Sequence, residues 1–256
     1  MKGVVLAGGT GSRLFPLTKV TNKHLLPVGR YPMIYHPVAK LAEAGITDIL
    51  VVTGTEHMGA VVGTLGSGHA LGLEFTYRVQ DEAGGIAQAL GLAAGFVGRD
   101  RCVVILGDNI FEDSITPLVR RYEQQEQGAM VLLKEVPDPQ RYGVAMLRNG
   151  QVVDIEEKPA HPLSRLAVTG IYMYDGQVMD AIAGLQPSGR GELEITDVNR
   201  WYLQRGLLTY AILSGWWTDA GTFPSLATAN RLAEPITLDV IEQSLRHGTG
   251  QRATNS

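Results

Sequence analysis

Short apolar segments alternate with stretches of helical period through the first half of the chain. Apolar positions recur at helical spacing over residues 34–42, and Gly45 is placed to end that helix. A second stretch, 85–96, has the alanine- and leucine-rich composition of a buried helix. Strands are predicted where apolar runs are bounded by glycine, proline or polar residues, near 3–7, 49–53, 73–78, 102–107 and 129–134. This alternation predicts an α/β fold in which helices cover both faces of a mostly parallel sheet.

The pattern changes after Lys134. Two alternating segments, 144–147 and 152–155, flank Arg148-Asn149-Gly150, which predicts a β-hairpin. The second half is therefore expected to contain an inserted mixed sheet, with a further strand over 167–174 and helices near 194–205 and 222–232. No repeat or long linker separates the halves. Residues 1–246 are predicted to form one domain, followed by a loose polar tail over 247–256.

Composition limits the classes of function. The 256 residues are 45% hydrophobic and 19% charged, which suits one sizeable α/β core. A formal net charge of -4 gives no overall attraction to nucleic acid, so a phosphate ligand would have to be held by local cations, as in a nucleotide site. The single cysteine, Cys102, lies in an apolar run and is interpreted as a buried strand residue. No stretch approaches the ~20 apolar residues of a membrane span, so we expect a cytoplasmic protein with no membrane partner.

A glycine-rich loop follows the first predicted strand directly. Several backbone N–H groups can converge on an anion in the run Gly8-Gly9-Thr10-Gly11-Ser12, because few side chains stand in the way. Arg13 adds a planar fork suited to bidentate contact with oxygen, and Lys23 adds a compact charge. Together these residues predict a site for a polyphosphate.

Other glycine loops fit this segment less well. A dinucleotide fingerprint needs a glycine or alanine where this chain has Leu14, and an acidic residue at the end of the second strand, where none occurs. A Walker loop needs lysine directly after its glycines, and Lys23 comes too late. The loop alone is equally compatible with an ordinary tight turn between a strand and a helix.

Two aspartates are candidate metal ligands. Asp108 follows the fourth strand, so it should emerge at the carboxyl edge of the sheet, beside the glycine loop. Asp219 lies between an aromatic strand end and the next helix. Each also has a purely structural interpretation, Asp108 as a turn residue and Asp219 as a helix cap. Two carboxylates beside a polyphosphate would suit Mg²⁺, which binds through a few protein oxygens and keeps its other positions for water and phosphate.

Polar residues and glycines in the second half suit a sugar phosphate. Glu157-Lys158 ends a strand with alternating charge. Read together with Tyr142-Gly143, Val168-Thr169-Gly170 and Arg190, it provides a carboxylate for hydroxyl groups, cations for phosphate and glycines that permit close approach. Each of these signals is weak when taken separately.

An ordered series of motifs strengthens these separate signals and spans the chain through about Ala233. The motifs are LAGGTGSRL, NKHLLP, VQDEAGGIAQA, LGDNIF, DPQRYGV, EEKP, AVTGIYMYD, GRGELEITD and WTDAGT. In this series the chain resembles the sugar-1-phosphate nucleotidyltransferase family. The resemblance implies a Rossmann-like, mostly parallel sheet flanked by helices, with a mixed-sheet sugar-binding insertion and assembly as a homotetramer. It divides the domain into a nucleotide half, about 1–134, and a sugar-phosphate half, about 135–233.

The resemblance also implies roles for particular residues. Gly8 to Arg13 would bind the nucleoside triphosphate, and Lys23 would steady the reacting phosphates, so that Arg13 and Lys23 are the catalytic pair. Gln80 and Gly85 would read the base, and Asp108, also counted with the nucleotide site, would hold Mg²⁺ with Asp219. The sugar 1-phosphate would be surrounded by Tyr142, Gly143, Glu157, Lys158, Val168 and Arg190.

The reaction implied is transfer of a deoxythymidylyl group from dTTP to glucose 1-phosphate, giving dTDP-glucose and pyrophosphate. UTP or another sugar 1-phosphate is the alternative within the same class, and a non-catalytic sensor of nucleotide sugars is a remote one. The attacking phosphate monoester is already largely anionic at neutral pH, because its second pKa is about 6, so no general base is needed. One departure is His24, which stands where thymidylyltransferases commonly have glutamine.

Overall fold

The computed structural model describes residues 1–244. Three short 3-10 turns, Ser12–Leu14, Leu17–Lys19 and Lys23–Leu25, follow the first strand. The strands and helices occur in the order β1 Lys2–Ala7, β2 Pro27–Val28, β3 Tyr31–Pro32, α1 Tyr35–Glu43, β4 Asp48–Gly54, α2 Met58–Leu65, β5 Glu74–Gln80, α3 Ile86–Gly91, α4 Ala94–Val97, β6 Cys102–Leu106, β7 Asn109–Phe111, α5 Thr116–Glu123, β8 Ala129–Glu135, β9 Gly143–Arg148, β10 Gln151–Glu157, β11 Leu166–Tyr174, α6 Val178–Ala183, α7 Ile195–Leu203, β12 Leu208–Ile212, β13 Trp217–Asp219 and α8 Phe223–Ala233.

A nine-stranded sheet runs through both predicted halves of the chain, in the order β10-β9-β11-β6-β1-β4-β5, with β8 bound to β11 and β12 bound to β8. Strands β6, β1, β4 and β5 are parallel neighbours, and β8 is parallel to β12. Strand β11 is antiparallel to β6, β8 and β9, and β10 is antiparallel to β9. All strands of this sheet except β10 and β11 therefore point the same way. The mostly parallel sheet is confirmed, and the predicted hairpin, β9 and β10, extends it.

The sheet forks along one edge of β11, and the fork creates a gap. On that edge β6 pairs with Ile171–Tyr174, whereas β9 pairs with Ala167 and Val168. Thr169 and Gly170 lie between the two partners, so the carboxyl end of β6 faces the amino end of β9 across them. The gap lies at the strand edge where open α/β sheets bind ligands.

Alternating side chains of the buried strands pack against helices on both faces. On one face Val5, Val103 and Ile105 join a core with residues of α1, α2 and α5. On the other, Val4 and Val104 pack with residues of α3, α4, α6 and α7. The prediction that helices cover both faces is confirmed. Cys102 is buried, as expected, and burial raises the pKa of its thiol to about 12.

Two features of the chain differ from the sequence-based expectation. The helix expected over 85–96 is divided into α3 and α4 at Leu92 and Ala93. The pattern also did not reveal the small antiparallel sheet in which β13 pairs with β7. The loose tail predicted over 247–256, and the last two residues of the predicted domain, lie outside the described residues. Between residues 1 and 244, no helix is both long and apolar enough to cross a membrane.

Candidate active site

A cavity of about 560 Å³ opens at the fork of the sheet. The glycine loop after β1 and the carboxyl ends of β5 and β6 form one side of it, and the ends of β9 and β10 face them. All but three of the candidate residues identified in the sequence line it: Gly8, Gly9, Arg13, Lys23, Gln80, Gly85, Asp108, Tyr142, Gly143, Glu157, Lys158, Val168, Arg190 and Asp219. Thr10 and Ser12 line a neighbouring, more open pocket, and Gly11 lines neither.

The glycine loop turns through backbone conformations that favour glycine. Gly9 has a φ of 89° and Gly11 a φ of 61°, both in the left-handed region. Arg13, just beyond the loop, is exposed and has no hydrogen bond or ion pair with any residue in the described part of the chain. A Cβ at Gly221 would lie 3.1 Å from Nη2 of Arg13 and 3.4 Å from Oδ2 of Asp108. The Arg13 guanidinium and the Asp108 carboxylate therefore lie against the same glycine.

Asp108 is held by one partner on each carboxylate oxygen. Lys23 donates from Nζ to Oδ2 at 2.5 Å, and Asn109 donates from Nδ2 to Oδ1 at 3.1 Å. Asn109 is itself fixed, because its Oδ1 accepts from the Gly170 N–H at 2.9 Å and from Trp217 Nε1 at 2.7 Å. Burial alone would raise the pKa of the Asp108 carboxyl, but the Lys23 charge and these hydrogen bonds hold that pKa well below its usual range. Asp108 is therefore ionised.

The small β7–β13 sheet brings Asp219 to Asp108. Asp219 is the register partner of Asn109, and the Ala220 N–H donates to the Asp108 carbonyl at 2.7 Å. Burial, then the charge of Asp108, raises the pKa of Asp219, against the opposing charge of Arg141. Arg141 donates from Nη2 to Oδ1 of Asp219 at 3.1 Å. The cap of helix α8 is Thr222, whose side chain bonds Ser225, so the interpretation of Asp219 as a helix cap is wrong.

The base-reading candidates occupy the end of β5 and the start of α3. Gln80 is buried, and its Nε2 donates to Oε1 of Gln88 at 2.6 Å. The Gly85 N–H has no hydrogen-bond partner within residues 1–244. Gly85 has a φ of 99°, and a Cβ there would lie 2.5 Å from the Leu193 carbonyl oxygen, so no other residue fits without displacing the backbone. This end of the cavity presents backbone and amide groups, with no charged side chain among those of Gln80, Gly85 and Gln88.

At the sugar-phosphate end, charged side chains already bind one another. Arg190 donates to both carboxylate oxygens of Glu194 at 2.8 Å and lies 3.4 Å from Oε1 of Glu157. The Thr196 hydroxyl donates to Oε2 of Glu157 at 2.5 Å. Lys158, with Nζ 3.5 Å from Glu157, has a φ of 44°, an unusual conformation for a residue with a side chain, and such strain concentrates at functional sites.

Sequence reasoning missed several residues that line or support the cavity. Arg141, next to Tyr142, and Glu194, four residues after Arg190, stood within quoted motifs, but nothing local indicated that they would bind Asp219 and Arg190. Thr196 and Asn109 gave no individual signal either. All four act through partners distant in sequence or across a turn.

His24 is buried beneath the phosphate end of the cavity. Its Nδ1 lies 2.7 Å from Oδ1 of Asn22, which also accepts from the His24 N–H at 2.9 Å. Burial, followed by the neighbouring Lys23 charge, lowers the pKa of His24 to about 3. The ring is therefore neutral at pH 7 and adds no charge to the phosphate site, so Lys23 and Arg13 are the cations there.

The cavity as a whole can hold two anions side by side. Arg13, Lys23 and the loop residues Gly8 and Gly9 line one end, and Arg190 and Lys158 line the other. The described residues contain no group of three or more histidine, cysteine, aspartate or glutamate side chains that could hold a metal ion, so a metal at Asp108 and Asp219 would need further oxygens from a ligand.

Comparison with known proteins gives a consistent family. A glucose-1-phosphate thymidylyltransferase of Xanthomonas campestris is 47% identical over 92% of this chain and 81% of its own length. One from Neisseria meningitidis is 44% identical over 92% of this chain and 83% of its own length. A crystal structure from Bacillus anthracis, assigned to the same activity and holding a sucrose, is 65% identical, with a TM-score of 0.90 over 93% of this chain and 96% of that one.

A more distant structure shares the fold. UDP-glucose pyrophosphorylase in complex with UDP-glucose is 25% identical, with a TM-score of 0.78 over 90% of this chain and 97% of its own. The family described as nucleotidyl transferase matches residues 2–235, which include the whole cavity. On this evidence the chain belongs to the nucleotidyl transferase family.

Proposed function

We propose that this protein transfers a deoxythymidylyl group from dTTP to glucose 1-phosphate, giving dTDP-glucose and pyrophosphate. The observation that carries the proposal is a single cavity that joins the glycine loop, Arg13 and Lys23 at one end to Arg190 and Lys158 at the other. The names of the relatives support the choice of nucleotide and sugar. All of them are similar over most of their own length.

The reaction joins two anions. An oxygen of the sugar phosphate forms a bond to the α-phosphorus of the triphosphate, and the bond from that phosphorus to the bridging oxygen of the β-phosphate breaks, releasing pyrophosphate. The attacking oxygen carries no proton that must be removed, because the second pKa of a phosphate monoester is about 6. Catalysis then consists of in-line positioning and neutralisation of charge.

Arg13 and Lys23 supply that neutralisation. Lys23 is anchored by Asp108, which keeps its ammonium beside the loop. Arg13 has no hydrogen bond or ion pair with the described residues, so its guanidinium is available to phosphate oxygens. Both cations would stabilise the charge that grows on the α-phosphate and the leaving pyrophosphate.

Asp108 and Asp219 fit a divalent cation, and we propose Mg²⁺. The two carboxylates are close enough for the charge of Asp108 to raise the pKa of Asp219, and oxygen is the donor that Mg²⁺ prefers. When bound, the ion would screen charge between the phosphates. Arg141, which now binds Asp219, would have to share or release that carboxylate.

The sugar-phosphate end would position the second substrate. Glu157 has acceptor oxygens for sugar hydroxyl groups. Gly143 and Val168, which are paired in the sheet, line the cavity with little side-chain bulk, so a sugar ring could approach them closely. Arg190 and Lys158 provide charge for the phosphate.

We also propose the homotetramer implied by the resemblance, which light scattering of the purified protein would test.

Pyrophosphate release with a panel of triphosphates and sugar phosphates tests the proposal. We expect dTTP with glucose 1-phosphate to give the highest kcat/KM. Neither the Gln80 carboxamide nor the Gly85 N–H can sense the 5-methyl group of thymine, so dTTP should exceed UTP by less than about tenfold. A preference for UTP of tenfold or more would instead make the protein a uridylyltransferase. Nucleotide binding with no pyrophosphate release from any pair would favour a sensor.

A further inference from the structure

The Gln80 carboxamide is held in one orientation. Its Nε2 donates to Oε1 of Gln88 at 2.6 Å and lies 3.5 Å from the Gly85 carbonyl oxygen. An amide nitrogen has two hydrogens, and two acceptor oxygens lie within 3.5 Å of this one. The Gln80 oxygen must therefore face the other way. It lies against Gly8, where the Cβ of any other residue would overlap with it, and Gly8 and Gln80 both line the cavity.

The closer acceptor for the Gln80 amide is Oε1 of Gln88, a residue that lies outside the cavity lining. It lies on α3 and is not among the residues that line the cavity, so its side chain reaches the ligand only through Gln80. The side chain packs over Gly84, where a Cβ would lie 2.9 Å from Cδ of Gln88. The φ of Gly84 is not in the left-handed region, so this glycine provides space for Gln88 and not a special turn.

The orientation has a consequence for base recognition. The Gln80 oxygen offers an acceptor to the cavity, and the unpartnered Gly85 N–H offers a donor. Thymine and uracil present an N3–H donor next to the O4 acceptor, which matches this pair. Cytosine presents an acceptor at N3 and a donor at the 4-amino group. Its N3 would therefore face the Gln80 oxygen, another acceptor, and its amino group would face the Gly85 N–H, another donor. A flipped Gln80 would give cytosine a partner at N3.

We propose that Gln88 is a positioning residue that selects keto pyrimidines, by holding the Gln80 carboxamide in the orientation that the acceptor-only Gly85 carbonyl sets. The proposal rests on the proposed function for the site, since it assumes that a pyrimidine binds against Gln80. The alternative is that the Gly85 carbonyl alone orients Gln80. At 3.5 Å that contact is at the outer limit of a hydrogen bond, whereas the bond to Gln88 is short.

Three substitutions separate the donor and acceptor properties of Gln88. Gln88→Glu keeps an acceptor for the Gln80 amide. Gln88→Met keeps the length but offers neither a strong donor nor a strong acceptor. Gln88→Lys offers only donors, so it favours the flipped carboxamide. Gln124→Met is the matched control, because Gln124 is an exposed glutamine at the end of α5, away from the cavity.

Equilibrium binding of dTTP and CTP, measured by calorimetry in EDTA so that no turnover is needed, gives the readout. We expect the wild type, Gln88→Glu and Gln124→Met to bind dTTP at least tenfold more tightly than CTP. Gln88→Met should reduce the preference about tenfold, and Gln88→Lys should reduce it further or reverse it. A merely structural role would weaken binding of both nucleotides equally.

The outcomes distinguish this inference from the proposed function. An unchanged preference in Gln88→Met and Gln88→Lys, or an equal loss for both nucleotides, would overturn the inference even if the enzyme releases pyrophosphate normally. A preference that shifts as expected would support the inference even if the protein proved to be a sensor without turnover. Wild-type protein that binds the two nucleotides equally would overturn it as well.

Discussion

In the nucleotide half of the cavity two of the donors that line it have no hydrogen-bond partner, whereas the charged groups of the sugar-phosphate half already bind one another. Arg13 and the Gly85 N–H have no hydrogen-bond partner within residues 1–244. By contrast, Arg190 lies within 3.7 Å of carboxylate oxygens of Glu157, Glu192 and Glu194. Arg13 thus has no bound counter-charge when no ligand is present, whereas Arg190 already has carboxylate partners.

This difference predicts different consequences of mutation. The cations of the nucleotide half, Arg13 and Lys23, line the end of the cavity proposed for the reacting phosphates, so removal of either charge should lower turnover. Charge in the sugar-phosphate half is shared with neighbouring carboxylates and partly exposed, so its removal should mainly weaken binding of the sugar phosphate. Lys23 differs from Arg13 in being ion-paired with a carboxylate, that of Asp108.

The largest expected effect is that of Lys23→Ala. Turnover should fall by roughly 10² to 10³, the usual scale for the loss of one electrostatic donor to a transition state. The measurement is kcat for pyrophosphate release, with thermal unfolding to verify the fold. Lys19→Ala, an exposed lysine nearby, is the matched control and should keep normal turnover. Near-normal kcat in a folded Lys23→Ala enzyme would remove Lys23 from the chemistry.

Asp108→Asn and Asp219→Asn should each shift the dependence on Mg²⁺. The amide keeps the shape and one oxygen but loses the charge that a hard dication favours. We expect the Mg²⁺ concentration for half-maximal activity to rise by about tenfold or more, with partial recovery at high Mg²⁺. Asp180→Asn, which removes an exposed partner of Arg99, is the control. An unchanged Mg²⁺ titration with a lowered melting temperature would indicate a structural role only.

Arg190→Met should act on the sugar phosphate alone. We expect KM for glucose 1-phosphate to rise by roughly tenfold, a moderate loss because the Arg190 side chain is 42% exposed and its guanidinium is shared among carboxylates. KM for dTTP should stay the same. Arg99→Met, at a more exposed ion pair, is the control. Equal increases in both KM values would show that the two halves of the cavity are not independent.

The smallest effect at neutral pH is expected for His24→Gln, and it should grow as the pH falls. The native pKa of about 3 lies below the ordinary value of 6.5, so between these values the unfolded chain binds a proton that the native protein does not. As the pH falls between these values, the wild-type free energy of unfolding should therefore decrease by up to about 1.4 kcal/mol per pH unit because of this residue alone. The variant should lack this pH dependence.

Urea unfolding at pH 7 and pH 5 measures the change in slope. His36→Gln is the comparison variant, because burial also lowers the pKa of His36, to about 4, at a position outside the cavity. Each substitution should remove its own part of the acid sensitivity. A wild-type slope in His24→Gln would show that His24 is charged or exposed in the native protein.

Local signals in the sequence were enough to identify much of this site. The hydrophobic pattern of adjacent residues predicts strands β1 and β6, and the glycine loop and Asp108 come just after their ends. Lys23 lies in a short turn that follows the loop. Since the carboxyl ends of parallel strands meet at one edge, the sequence alone predicts that the loop and Asp108 lie together. The ordered motifs added the sugar-phosphate residues by resemblance.

Tertiary structure alone decided how those residues are paired. Contacts between distant segments create the fork along β11 and the β7–β13 sheet that carries Asp219. They also create the hydrogen bond from Trp217 to Asn109, which are 108 residues apart in sequence. The same holds for Arg141 with Asp219. Hydrophobic period records which face of an element is buried, but it contains no information on which distant polar group lies opposite. The sequence by itself therefore determined which chemical groups are present at this sheet edge, and only the folded chain determined which of them hold one another and which remain free for a ligand.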